Sequence, residues 1–415
     1  MLYSRMLIST TKEKPANTLV PSHALSIASG MIYSVGAGLY AYSPLGKKVL
    51  DKTIEAIKRG MGATNASEVS LPILQPYALH DQSGRAKVHS KEMFKVVGED
   101  GQRFFLAPSN EEVAITLIKR HLKTHKQLPI TIYQVGRFFR DERASYGTLS
   151  SKEFWIYDGY SFCRDGGQVE EVYARTQKAF IDTFSEMGIE FTVTSFGNTN
   201  GSSNSVVFMV LLPFGRNKVL NCTNCETSFN VGQLEKGEST CPKCNGALEQ
   251  LAGFRIGDIT KLGTDYSSSL GLTFIDSDNS SKPVEVVGYG VSVSRLLAII
   301  IEQNHDEKGI IWPLSVAPFH VAIIPINYSN AAVKYASDTI YQTLNSQGME
   351  VILDDRGTSP GVAFRDADLI GFPYKLIVSQ KTLKNGSVEI EPRKDGSTVT
   401  VDIDSAGAYL KRILR

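Results

Sequence analysis

The sequence predicts a two-part chain of mixed helix and sheet: a long first part carrying a small four-cysteine insertion, then a separate α/β domain. Three observations predict it. Two aromatic-rich strand patterns, TIYQVGRFFR (131–140) and KEFWIYDGYSF (152–162), flank a polar loop holding a glycine and read as a hairpin. Two Cys-x-x-Cys pairs lie between residues 222 and 244. Beyond Pro318, β and α patterns alternate to the end of the chain, which argues for a mostly parallel sheet.

The elements follow in order. VLDKTIEAIKRGMG (49–62) sets Val49, Ile54, Ile57 and Met61 on one face and reads as a helix ended by Gly60 and Gly62. EVSLPILQP (68–76) reads as a strand leading into a Pro-bounded extended segment. FFLAPSNEEVAITLIKRHLKTHK (104–126) reads as a strand, a Ser109/Asn110 cap and a helix opening on Glu111 and Glu112, with a basic, solvated C-terminal end. Residues 166–188 read as a helix and 197–205 as a loop. EVVGYGVSVSRLLAIIIEQNHDE (285–307) reads as a strand, a Gly-containing turn and a long apolar helix. After IIWPLSVAP (310–318), where a domain boundary is expected, VAIIPI, MEVILDD and YKLIVSQ are strands separated by two helices. SVEIEP and TVTVDI then form a hairpin and AGAYLKRIL a last helix.

Composition narrows the function. Lys and Arg number 44 against 43 Asp and Glu, a net charge of +1, so any nucleic-acid contact rests on local basic patches rather than on overall charge. A hydrophobic content of 42% with 21% charged residues excludes wholesale disorder. No apolar run is long enough for a membrane helix. The opening residues lack a signal-like apolar core and five cysteines are too sparse for a disulfide framework, so a reducing cytoplasm is expected.

Three constellations carry chemistry. Cys222-x-x-Cys225, fifteen residues, and Cys241-x-x-Cys244 supply four thiolates for a tetrahedral structural Zn²⁺ in a ribbon-like insertion (218–250); four buried free thiols are the other reading. Cys163 reads as core. Phe139-Arg140-Asp141-Glu142, a loop and Phe154 can grip an α-phosphate and a carboxylate with Arg140, accept from an adenine amino group with Glu142, and stack adenine on Phe154. Alone, the tetrapeptide also fits a surface Arg–Asp pair. Gly288-Tyr289-Gly290 leading to Arg295 at a helix start lets backbone approach a ligand and offers a cation to a polyphosphate.

The order and spacing of these segments resemble motifs 1, 2 and 3 of class II aminoacyl-tRNA synthetases, here about 49–72, 133–162 and 285–307. SHALSIASGMIYSVGAGLYAYSPLGKKVL, KQLPITIYQVGRFFRDE, EFWIYDGYSF, YGVSVSRLLAIIIEQNHDEKGIIWP and ILDDRGTSPGVAFRDADLIGFP resemble the bacterial-type prolyl-tRNA synthetases over nearly the whole chain. The resemblance implies an α+β class II catalytic domain over 1–312, an antiparallel sheet flanked by helices with the zinc ribbon inserted, and an α/β anticodon-binding domain over 317–415. It implies ATP with Mg²⁺, activation of proline, transfer to the 3′ end of tRNA(Pro), and a homodimer. Arg140 and Arg295 are similar to the arginines contacting the α-phosphate and the γ-phosphate, and Glu142 and Phe154 match the adenine-binding positions. Ser109 and Glu111 stand in the family's Thr-x-Glu loop for the proline ammonium, and Asp158 and Tyr160 line the same pocket. Arg356, Arg365 and Arg393 fall in segments matching the anticodon-binding surface.

The chain also departs from the pattern. The loop after Glu142 keeps Arg143 but lacks the further arginines, with Ser150-Ser151 where the family carries one. Val206 and Val207 replace a His and a Glu. The alternative these changes leave is a synthetase-like paralogue that activates another amino acid, transfers to a non-tRNA acceptor or senses an amino acid. The interval between motifs 2 and 3, about 120 residues, holds only the ribbon, so no editing domain and no editing in cis are expected.

Overall fold

Strand pairing in the computed structural model is set by the hairpin that the sequence announced. The structure describes residues 1–13, 15–16, 18–88, 91–197, 204–231 and 240–414. By spatial contacts the chain forms two units, Ile54–Leu296 and Met1–Thr53 with Leu297–Arg415. The sequence pattern places a boundary near Pro313–Pro318, yet the first residues join the second unit: Ser22 N–H donates to Glu302 at 2.7 Å and Leu2 bridges Leu353.

In the first unit, α1 (Glu111–His121), β1 (Ile130–Phe139), β2 (Glu153–Cys163), α2 (Gly166–Glu186), β3 (Asn204–Leu211), β4 (Asn217–Cys222), β5 (Leu248–Gly263), β6 (Glu285–Ser292) and α3 (Val293–Gln303) surround the site, α3 running on into the second unit. A sheet of nine described strands runs Ser228–Asn230, β4, β5, β6, β2, β1, Ser67–Glu68, with β3 also on β5 and Thr192–Gly197 beyond it. Its pairs are antiparallel except Ser67–Glu68 with β1.

Side chains alternate across a strand, so β2 has two distinct faces. Its odd face carries Tyr157, which stacks on Tyr133 at 4.7 Å, while Phe180 of α2 meets neighbouring Tyr289 edge-on at 6.3 Å. Helix α2 fits there because Val169, Val172, Thr176, Phe180 and Phe184 recur at helical spacing and are buried. Gly159 is required beneath it: a Cβ there would meet the Tyr289 ring at 2.2 Å. On the even face, Ala114, Ile115 and Ile118 of α1 join a core with Ile132, Phe162 and Val286. That leaves Phe154, Ile156, Asp158 and Tyr160 to face the site.

The second unit holds a five-stranded sheet in the order Val351–Leu353, Val321–Pro325, Tyr374–Val378, Ser387–Pro392, Val399–Asp402. The first three are parallel and the last two antiparallel, as the alternation predicts. Helices Ala331–Ser346, Pro360–Ile370 and Ala406–Ile413 accompany it, with Val321, Ile323, Val333, Leu344, Leu376 and Leu410 in its core.

Three local readings are corrected. The helix expected at 49–62 spans Pro44–Met61, because Pro is tolerated in a first turn. The strand expected to open 68–76 is only Ser67–Glu68, and the extended segment after it ends in a second strand, Leu74–Pro76, which pairs with Arg103–Leu106 in a separate small sheet. Asn110 is the N-cap of α1 but its side chain makes no cap bond; it is engaged in the site instead. The loop read at 197–205 lies mostly outside the described residues, as does 232–239 of the ribbon.

Candidate active site

Two neighbouring sites grow from the even face of β2. The first is a cleft lined by Arg140, Glu142, Thr148–Ser151, Phe154 and Ile156 of the hairpin, Arg255, Gly257 and Asp258 of β5, Gly290 and Ser292 of β6, and Arg295 of α3. The pairing explains the company: Ser292 lies opposite Ile156, and Gly290 stands between Asp158 on one side and Asp258 on the other. Gly290 has no Cβ, so its backbone is open to a ligand.

The arginines give the cleft its character. The Arg140 guanidinium lies 5.4 Å from the Phe154 ring centroid, and Nη2 reaches only a carbonyl, that of Pro108, at 3.4 Å. Arg295 donates from Nε to the Leu149 carbonyl at 2.7 Å and from Nη1 to the Arg255 carbonyl at 2.5 Å. Neither pairs with a carboxylate among the described residues. Burial, then the charges of Arg140 and Arg255, pull the Arg295 pKa down to about 10, which still leaves it cationic at neutral pH. Glu142 and Asp258 are the carboxylates lining the cleft, and each faces an arginine: Arg216 at 3.8 Å and Arg255 at 3.5 Å. Arg216 also donates to the carbonyl of Arg143 and, at 2.8 Å, to Ser145 Oγ. Sequence reasoning missed Arg216 and Arg255, because no local motif connects them to the hairpin.

The second site lies at the N-terminus of α1. Asn110 Nδ2 donates to Asp158 Oδ2 at 2.9 Å, and Asn110 N–H donates to Tyr160 Oη at 3.0 Å. Gln75 Nε2 donates to Asn110 Oδ1 at 2.7 Å, and Gln75 Oε1 is held by His80 Nε2 at 2.7 Å. Ser109 Oγ and Arg85 Nη1 both donate to Glu111 Oε2. Arg85, Ser83 and His80 also surround Glu112, which is fully buried. Burial alone would raise the Glu112 carboxyl; His80 and Arg85 bring it below its usual value. Asp158 feels Arg85 only weakly. Burial and the nearby charge of Glu111 push its pKa up to about 8. The structure thus brings together Ser109, Glu111, Asp158 and Tyr160, and adds Gln75, His80 and Arg85, which the sequence did not single out, and Asn110, which it read only as a cap.

The four cysteines form one ligand set. Their sulfurs lie within 4.8 Å of one another, with Cys222–Cys244 at 3.4 Å and Cys225–Cys241 at 3.7 Å. Thiolates on a tetrahedral ion stand about 3.8 Å apart, so the set fits one metal ion. Asn224 and Cys225 N–H groups point at Cys222 Sγ, at 3.4 and 3.5 Å. A Cβ on Gly246 would come within 3.0 Å of Cys222 Sγ, so the knuckle needs glycine there.

The arginines expected to meet RNA are placed differently from those of the cleft. Arg356 is held by Asp354 at 2.7 Å and Asp366 at 2.9 Å, over the Tyr3 ring. Arg393, with a side chain 3% exposed, forks onto Asp306 at 2.8 and 2.5 Å. Arg365 touches Asp366 at 2.9 Å and is 42% exposed.

Residues 94–304 match the tRNA synthetase class II core domain (G, H, P, S and T), and residues 320–413 match the anticodon binding domain. A proline–tRNA ligase of Sulfurimonas denitrificans is 34% identical over 437 positions, covering all of both chains. One from Persephonella marina is 29% identical over 564 positions, again covering both chains fully; that alignment is longer because the relative carries sequence with no counterpart here. The fold is similar to the prolyl-tRNA synthetase of Cryptosporidium parvum complexed with halofuginone and AMPPNP, with a TM-score of 0.78 at 16% identity, over 95% of this chain and 74% of that one.

Proposed function

Because the chain belongs to the proline–tRNA ligases among the class II aminoacyl-tRNA synthetases, we propose that its cleft forms prolyl-adenylate and that the pocket at α1 holds the proline. The enzyme is a ligase that activates proline with ATP and transfers it to tRNA. A paralogue acting on another amino acid or acceptor, or a sensor, gains no support from relatives that cover the whole chain.

One observation carries the assignment of the cleft: Arg140 and Arg295 enter it held only by carbonyl oxygens, beside the Phe154 ring. Positive charge fixed without a carboxylate suits an anion that arrives from outside. In the reaction, a proline carboxylate oxygen attacks the α-phosphorus and pyrophosphate leaves. Arg140 grips the carboxylate and an α-phosphate oxygen, so it orients the attack and spreads the charge of the pentavalent state. Arg295 meets the departing phosphates. Phe154 stacks the adenine and Glu142 accepts from its amino group. No side-chain base is needed, because a carboxylate is already nucleophilic. The tRNA 3′-terminal hydroxyl then attacks the activated carbonyl and AMP leaves.

Glu111 would draw the proline ammonium, with Ser109, Asp158 and Tyr160 shaping the pocket. The Cys222, Cys225, Cys241 and Cys244 set is assigned to structural Zn²⁺, since four thiolates leave no open coordination position. Magnesium would be held by the ATP phosphates: among the described residues the cysteines are the only cluster of three or more suited ligands, and the cleft carboxylates each face an arginine. Arg365 is the best placed of the three selected arginines to meet tRNA. No described helix is long and apolar enough to cross a membrane; a cytoplasmic homodimer completes the reading.

Pyrophosphate exchange tests the function. Proline-dependent exchange exceeding that with alanine or cysteine is expected; exchange driven only by another amino acid would overturn it. Ala-tRNA(Pro) should survive incubation with the enzyme, because residues 163–284 contain no separate hydrolytic domain beside the ribbon. Clear deacylation by this chain alone contradicts that.

A further inference from the structure

We propose that Arg255 is a phosphate-binding residue for ATP, aimed into the cleft by a β-bulge at Ile256. This rests on reading the cleft as the nucleotide site and adds a residue that no motif supplies.

The geometry begins with strand parity. Asp258 faces the cleft from β5, opposite Gly290. Arg255 lies three residues earlier, so in an unbroken strand it would point to the other face, toward α2. The strand is broken. On the neighbouring β3, Phe208 pairs with Gly257 and the next residue, Met209, pairs with Arg255. Ile256 is the extra residue, and it is fully buried. An extra residue of this kind turns the following side chains to the other face, a device common beside active sites. As a result Arg255 lines the same cleft as Asp258, Arg140 and Arg295, and its Nη2 lies 3.5 Å from Asp258 Oδ1. The Arg255 carbonyl accepts from Arg295, which ties the two arginines through the backbone.

The charge balance points to a polyphosphate. Among the described residues, Arg140, Arg255 and Arg295 line the cleft and Arg216 reaches its rim, against the carboxylates of Glu142 and Asp258. The covering loop contributes Thr148, Leu149, Ser150 and Ser151, none of them cationic. The cation that the loop lacks thus comes from the strand across the cleft. Glu142 and Asp258, the acids available to a divalent ion, each face a guanidinium. Arg255 therefore adds to the phosphate neutralisation of Arg140 and Arg295 and takes over part of what Mg²⁺ would otherwise carry, so ATP binding should depend weakly on Mg²⁺.

Three measurements test this on the full-length enzyme. In pyrophosphate exchange, Arg255→Gln should raise the KM for ATP by about 10- to 100-fold, the range of one charge-assisted bond, and leave the KM for proline within about twofold. Arg255→Lys should recover most of the loss. In wild-type protein, calorimetry with a non-hydrolysable ATP analogue should give a Kd in EDTA within about tenfold of that with Mg²⁺, and Arg255→Gln should widen the gap. The proposal is overturned if Arg255→Gln keeps the wild-type KM for ATP while Arg140→Ala is inactive. Should the Gln variant fail to fold, wild-type binding in EDTA more than about 100-fold weaker than with Mg²⁺ overturns it as well. If Arg140→Ala keeps full exchange, the reading of the cleft itself falls, a result distinct from failure of Arg255 alone.

Discussion

Arg140 and Arg393 differ in what surrounds them more than in what they are. Arg140 reaches a carbonyl and an aromatic ring, while Arg393 forks onto Asp306 with its side chain buried. The same contrast separates the two parts of the molecule. In the cleft, arginines outnumber carboxylates. In the C-terminal domain, Lys375 lies between Asp368 at 2.6 Å and Glu391 at 2.7 Å, and Arg356 between Asp354 and Asp366. A basic residue whose charge is matched internally supports the fold; one left unmatched at an opening is available to a ligand.

The sharpest test of that contrast is a pair of substitutions. Arg140→Ala should reduce pyrophosphate exchange by about 10³-fold or more while leaving the unfolding midpoint nearly unchanged, because the lost bonds form mainly in the transition state. Arg393→Ala should do the reverse, removing about 2 kcal/mol of stability with exchange at 25 °C intact. An Arg393 variant that unfolds like wild type but loses tRNA binding would break the comparison. Next in size is metal removal. One zinc per chain is expected by elemental analysis, and Cys225→Ser or a strong chelator should remove it and lower the unfolding temperature. Metal-free protein that unfolds like wild type would count against the assignment.

The smallest effect concerns Asp158. Its pKa is raised to about 8 by burial and Glu111, against an ordinary value of 3.8. Folded protein keeps this proton where the unfolded chain releases it, so Asp158 costs stability increasingly as pH rises from 4 to 8. Asp158→Asn, which can still accept from Asn110, should stabilise the protein more at pH 9 than at pH 5, because the penalty it removes grows as pH rises toward 8. The same variant should raise the KM for proline. A stability difference that does not vary with pH would mean that Asp158 stays ionised in the fold.

The contrast also marks what a sequence makes legible. The hairpin, its glutamate and its phenylalanine stand in one short stretch, so Arg140, Glu142 and Phe154 can be found by reading along the chain. The four cysteines are legible for the same reason. Arg255 is not, because its direction depends on how β5 pairs with β3, and the bulge has no signature in residue type. Arg85 and Gln75 reach the α1 pocket from a segment whose spacing to Glu111 follows no period. Asn110 looked like a cap, and the competing demand of buried Asp158 took its side chain. Arg356 and Arg393 looked exposed because arginines usually are; only the tertiary contacts reveal Asp366 and Asp306 beside them.

The even face of β2 acts as a ruler. Phe154 and Ile156 belong to the cleft, Asp158 and Tyr160 to the neighbouring pocket, and Phe162 to the core beneath α1. Each step is two residues, about 7 Å of backbone. The separation between the cleft and the α1 pocket is thus graduated by the pleat itself, independent of any loop. Lengthening the turn at 143–152 would leave the scale intact. Deleting one residue between Phe154 and Asp158 would turn one end of the scale to the wrong side, so the cleft and the pocket could no longer be brought into line.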